Sequence, residues 1–140
     1  MKRKALFKTW FVALLALGGL AAGPAAARTC TLELITSGNP IAVGQSYTLK
    51  VTFVRGVDFG PPPPPDYPYQ VIFHGTRDGV WDTGNGEYFM NVLANGTPST
   101  VSSYNPGGIA GQYMRYAEIR MPPPYNQVMC YTNVIIANFL

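Results

Sequence analysis

Tyr47-Thr48-Leu49-Lys50-Val51-Thr52-Phe53 alternates a large apolar side chain with a polar one at every step. A period of two puts one row on each side of a pleated strand, so this stretch reads as a strand with one face in a core and one in water. Upstream, Pro40 to Gly44 make a turn. Before it Cys30, Leu32 and Leu34 alternate with Thr29, Thr31 and Glu33, a second strand whose cysteine lies on the apolar side.

The same punctuation continues toward the C-terminus. Between Arg55 and Tyr69, Gly60 and the run Pro61 to Pro65 cannot donate to a ladder and favour polyproline II, which makes this a surface loop. We read it as a stiff connection in preference to a ligand for an aromatic groove on a partner. Tyr69 to His74 is a short strand, and Asp78-Gly79 is a hairpin signal leading into Val80 and Trp81. Asn85-Gly86 and Asn95-Gly96 bracket a strand at Tyr88 to Leu93. Thr100 to Tyr104 is a polar strand suited to an edge or an exposed face. Gln112 to Met121 sets Ala117, Ile119 and Met121 against Tyr116, Glu118 and Arg120, and Pro122 to Pro124 stop it. The last strand spans Val128 to Phe139, with Cys130, Val134 and Ile136 expected inside. Seven or eight strands with turn signals every eight to twelve residues predict an all-β, two-sheet antiparallel sandwich.

The first 27 residues are of another kind. Lys2, Arg3, Lys4 and Lys8 precede the uncharged run Trp10 to Leu20, and small residues lead to Ala25-Ala26-Ala27. That is the layout of a secretory signal peptide, with an apolar run about half the roughly 20 residues a spanning helix needs. Lipidation at Cys30 is disfavoured because Arg28 and Thr29, not a small residue, precede it. Residues 28–140 then form one domain, expected to be secreted or periplasmic, with no stable membrane insertion once the leader is cleaved. An outer-membrane barrel is disfavoured, since these strands fall short of the ten or so residues that crossing requires.

Cleavage also reverses the charge. Four of the ten basic residues leave with the leader, and the rest of the chain sets six basic side chains against seven acidic ones. No Lys/Arg cluster remains to neutralise phosphates, so nucleic acid is not the expected partner. In an oxidising compartment Cys30 and Cys130 are expected to pair, with two buried thiols as the alternative.

The stretch Pro40-Ile41-Ala42-Val43-Gly44-Gln45-Ser46-Tyr47-Thr48-Leu49-Lys50-Val51 resembles the turn and second strand of bacterial extracellular immunoglobulin-like domains. Pro106-Gly107-Gly108-Ile109-Ala110-Gly111-Gln112-Tyr113 is similar to the loop and first tyrosine of strand F in such sandwiches. The resemblance implies that the Tyr113 hydroxyl bonds upstream backbone. It also implies first and last strands side by side, within reach of a Cys30–Cys130 bridge. The antibody pattern, a disulfide between strands B and F under a strand C tryptophan, is not matched: the cysteines fall on the outer strands and Trp81 follows a turn.

Chemistry is sparsely represented. His74 is the only histidine and no serine sits in a Gly-x-Ser-x-Gly elbow, so His74 reads as structural, with no carboxylate expected beside it in a deep pocket. Asp78, Asp82 and Glu87, with Asn85, match no calcium loop, and no metal or cofactor is expected. Aromatics exceed what one small core can bury. Tyr67, Tyr69 and Trp81 are the candidate ligand-binding residues, since flat rings with a polar edge serve both sugars and protein partners. The expected function is binding or adhesion without catalysis, through exposed aromatics, the proline loop and sheet edges. The alternative is a carbohydrate-binding module of the kind found with polysaccharide-degrading enzymes. Coplanar rings would favour sugar, and dispersed or buried rings a protein partner.

Overall fold

The computed structural model describes residues 28–57, 67–82 and 86–140. The proposed leader and the proline run lie outside them. Nine strands are present among the described residues: β1 (Thr29–Ile35), β2 (Tyr47–Val54), β3 (Tyr69–Arg77), β4 (Val80–Trp81), β5 (Glu87–Met90), β6 (Pro98–Asn105), β7 (Gly111–Arg120), β8 (Val128–Tyr131) and β9 (Ile135–Phe139). They form two antiparallel sheets. The first has the order β1-β2-β6; in the second, β3 and β7 are central, β4 and β5 share the free side of β3, and β8 and β9 share that of β7.

The alternation that opens the sequence is realised residue by residue. Tyr47, Leu49, Val51 and Phe53 are buried, and the residues between them look outward. They meet Tyr69, Val71 and Phe73 of β3 and Tyr113, Ala117 and Ile119 of β7 in one core. Phe139 is wedged between two phenols, with centroids 5.4 Å from Tyr47 and 5.0 Å from Tyr113. Each such buried side chain contributes about 1.5–3 kcal/mol. The polar strand at Thr100 to Tyr104 is β6, and it does lie at an edge.

Gly75 on β3 is dictated by packing. A Cβ there would stand 2.0 Å from the Met114 carbonyl oxygen and 2.5 Å from Arg115 Nη1. The Asp78-Gly79 hairpin has both residues at positive φ, 49° and 80°. A type I′ turn requires that pair of angles, and Asp-Gly adopts it readily.

The last strand differs from expectation. The stretch Val128 to Phe139 is two strands; Cys130 packs against the core as expected, but in β9 the inward residues are Ile135, Ala137 and Phe139, whereas Val134 and Ile136 are exposed. Register explains the inversion. Tyr131 pairs with Glu118 and Ile135 with Arg115, which places one more residue on the β8–β9 side than on β7. One inserted residue flips every later side chain to the other face. At the break the Thr132 hydroxyl accepts from the Ala117 N–H at 2.8 Å, and the Thr132 N–H donates to the Ala117 carbonyl at 2.9 Å.

The break also closes one side of the sandwich. The Asn133 side chain accepts from the Leu32 N–H at 2.8 Å and donates to the Leu32 carbonyl at 3.1 Å, standing in for a strand beside β1. Nearby, Cys30 on β1 and Cys130 on β8 form a disulfide with Cα atoms 6.4 Å apart. Ile41 bridges Phe139 in parallel, so the chain leaves the first sheet after β1 to touch the second. The Tyr113 hydroxyl donates to the Ile109 carbonyl at 3.2 Å, the upstream backbone bond expected of it.

Candidate functional site

β3 and β7 pair with Gln70 opposite Arg120, Ile72 opposite Glu118 and His74 opposite Tyr116, while Tyr131 of β8 lies opposite Glu118. Inward residues alternate with these, so this set lies on the outer face of the second sheet. Its centre is Glu118. Although on the outer face, Glu118 is only 4% exposed. One carboxylate oxygen meets His74 Nε2 at 3.1 Å and the other accepts from Arg120 Nε. That bond, and then the charge of Glu118 itself, hold the Arg120 guanidinium above its ordinary pKa.

Aromatic rings surround this clamp. The His74 ring stacks on Tyr116 at 5.1 Å with planes 22° apart, and Tyr131 meets Tyr116 at 6.3 Å and 60°. Farther out, Trp81, Phe89 and Ile136 are exposed on the same sheet. Because β4 and β5 both pair with β3 and not with each other, a gap separates them. Ile72, His74, Trp81, Asp82 and Glu87 line a groove of about 380 Å³ there.

The three ligand-binding candidates are not brought together. Tyr69 is 1% exposed, shares the inward parity of Val71 and Phe73 and packs on Phe53 at 5.9 Å, so its ring belongs to the core. Burial pushes its phenol pKa up, against an opposing pull from Arg55. Tyr67 and Trp81 are exposed, but at opposite ends of β3: Trp81 pairs with Thr76, roughly 23 Å of strand from Tyr69.

His74 has a carboxylate beside it, Glu118, on an open sheet face and not in a deep pocket. Sequence placed Glu118 on the polar side of its strand but gave no sign of its burial. Tyr116 and Arg120 flank it on the same face of β7, and the register of β7 against β3 and β8 adds His74 and Tyr131. Asp78, Asp82 and Glu87 have separate partners. Asp78 accepts from the Gln112 N–H at 2.8 Å, Asp82 pairs with Arg115 Nη2 at 2.6 Å, and Glu87 accepts from Gln70 Nε2 at 2.8 Å. Among the described residues no group of three His, Cys, Asp or Glu side chains is placed to hold a metal ion.

A second polar cluster lies inside the sandwich. Arg115, buried between the sheets, donates from Nη1 to the carbonyls of Thr76 and Met114 at 3.1 Å each and lies 4.9 Å over the Tyr113 ring. A cavity of about 240 Å³ adjoins it, bounded also by Tyr47, Ser103 and Asn105. Burial raises the Tyr47 phenol pKa although Arg115 pulls it the other way. These groups satisfy one another and hold β3, β4 and β7 together.

No family model matches this chain, and a search of curated proteins finds no match.

Proposed function

We propose that this chain is an exported, non-catalytic binding module of immunoglobulin-like type that recognises a protein partner through the outer face of its six-stranded sheet. The leader sequence at residues 1–27 supports export. The order β1-β2-β6 against β3-β7-β8, the Tyr113 bond and the parallel Ile41–Phe139 bridge support the immunoglobulin-like reading.

One observation carries the choice of partner: the rings around Glu118 are tilted, with Tyr116 and Tyr131 60° apart. Sugar sites stack hexose faces on coplanar rings. Rings at several angles around a charge-paired, nearly dry centre resemble the aromatic and arginine anchors of protein interfaces. The sheet edges contribute unequally, since β1 is capped by Asn133 while β6 carries no charged residue to block a strand from adding.

The test is site-specific photo-crosslinking of the exported protein in its native culture, with the reactive residue at Tyr131 or, on the other sheet, at Thr31. A discrete protein adduct from position 131 and none from position 31 is expected. A glycan array run with the same protein is expected to be silent. A saturable glycan signal lost in W81A would transfer the function to sugar binding.

A further inference from the structure

We infer that the chain dimerises through the free edge of β6, where a second copy adds its own β6 antiparallel about a two-fold axis at Ser102. The contact uses the three-stranded sheet and stands apart from the binding proposed for the other one.

Backbone directions along the first sheet fix which groups face that edge. Both the N–H and the carbonyl of Leu32 go to Asn133, so they point away from β2. In an antiparallel ladder the two groups of one residue point to the same side, and the side alternates from residue to residue; Thr31 and Glu33 therefore face β2 at Thr52 and Lys50. Val51, between these two, faces β6 at Val101. Thr100, Ser102 and Tyr104 are thus turned the other way, to the outside of the sheet. No strand pairs with them there, their side chains are exposed, and among the described residues no backbone hydrogen bond reaches their outer groups. Such a row is a template for another strand. The opposite edge of the sheet differs, because Asn133 occupies it at Leu32.

Three features select a second copy as the occupant. A two-fold axis at Ser102 sets that residue against itself and Thr100 against Tyr104 in both directions, a hydroxyl pair and two pairings of a ring with a β-branched side chain, all suited to antiparallel strands. The Tyr104 ring, tied by its hydroxyl to Ser46 at 2.6 Å and 68% exposed in a single copy, is covered in this way. Second, no charge meets its own image. β6 has none, and Lys50, the one charge of β2, already pairs with Glu33 at 3.5 Å. Third, prolines define the register. Pro98 and Pro106 lack an N–H and flank the edge, and about Ser102 they fall opposite each other, beyond the pairs that exchange bonds. Sliding the axis by one residue sets Pro98 against Tyr104 or Pro106 against Thr100, which leaves a carbonyl facing a proline ring in place of a donor.

The test is sedimentation equilibrium of the purified protein over a series of concentrations, with amide hydrogen exchange read by nuclear magnetic resonance at the two extremes. The mass should double as concentration rises. Over the same range the Thr100, Ser102 and Tyr104 amides should become protected, while those of Ser99, Val101 and Ser103, already bonded to β2, should not change. In S102K two ammonium groups meet at the axis, and the apparent dissociation constant should rise about tenfold or more, the equivalent of roughly 1.4 kcal/mol. S102P removes the central donor without breaking a bond inside the chain, since proline is tolerated where an edge N–H faces solvent, and should weaken the dimer as well. T31K, on the same face but on β1 at the far edge, should dimerise like the wild type.

A single-chain mass at every concentration, a dimer that S102K and S102P leave intact, or a dimer whose Ser102 amide still exchanges freely would each overturn the inference. Exchange in the wild-type protein decides the matter even where a variant fails to fold.

Discussion

The outer faces of the two sheets are built to the same rule and end in opposite states. On the three-stranded sheet, Thr31, Glu33, Thr48, Lys50, Thr52, Thr100 and Ser102 form a hydroxyl-rich surface, with Ile35 and Tyr104 exposed at one end of it and one ion pair, Glu33 to Lys50 at 3.5 Å. On the six-stranded sheet a carboxylate also pairs across strands, but Glu118 is nearly dry, doubly paired and flanked by rings. The first face keeps its charges in water at almost no cost or gain. The second accepts a desolvation cost that exposed threonines would avoid. The proposed protein binding rests on this second face, where Trp81, Tyr131 and Phe89 are exposed around the buried carboxylate.

The largest effect that breaks this contrast removes the frame holding both faces. The Cys30–Cys130 bridge closes a sequence separation of 100 residues. In the chain-entropy model it contributes about 4–5 kcal/mol. The C30S/C130S protein should therefore unfold at a much lower urea midpoint, with both faces lost in one transition. A midpoint unchanged from wild type would show that the clasp of Asn133 on Leu32 and the core suffice to join the sheets.

Much of that frame was legible in the sequence. Period-2 alternation locates β1, β2 and β7, a short apolar run before Asp78-Gly79 locates the first part of β3, and turn residues separate them, because these signals are local. What failed was non-local. Tyr69 reads as a ligand-binding candidate because a tyrosine at a strand's start carries no mark of which face it takes; in the structure it shares the inward parity of Val71 and Phe73. Parity with Cys130 predicts Val134 and Ile136 inward, because one inserted residue at the β8–β9 break leaves no trace in composition. Alternation along β7 puts Tyr116 and Arg120 beside Glu118, but its burial also depends on His74 and Tyr131, which come from β3 and β8 through a register that a single sequence does not contain.

The two carboxylates sharpen the comparison at the next magnitude. E118Q removes the charge from a site where His74 and Arg120 both point at it, and should cost about 1–3 kcal/mol in urea or thermal unfolding. E33Q, on the other sheet, should fall within about 0.5 kcal/mol of wild type. Added salt should weaken the Glu33 contribution toward zero and move that of Glu118 less, because buried pairs are poorly screened. Equal costs at the two positions would abolish the distinction between the faces.

The smallest effect concerns the tyrosines between and upon the faces. Tyr104, Tyr116 and Tyr131 lie outside the core, whereas burial raises the pKa of Tyr47 and Tyr69 above the ordinary value of 10.0. For Tyr47, desolvation outweighs the favourable charge of Arg115 beside it. Below about 10, both phenols keep their protons folded or unfolded, and their full contribution to stability is present. Above it the unfolded chain releases protons that the folded chain retains, so stability falls as pH rises toward the folded-state values. Phenolate absorbance through an alkaline titration should thus show Tyr47 and Tyr69 ionising only as the sheets separate. Y69F should flatten the stability loss above that pH and leave crosslinking from position 131 unchanged, because a ring that packs on Phe53 stabilises the scaffold without touching the partner. If Y69F instead abolished the adduct while the fold persisted, Tyr69 would return to the binding surface and the assignment of faces would be wrong.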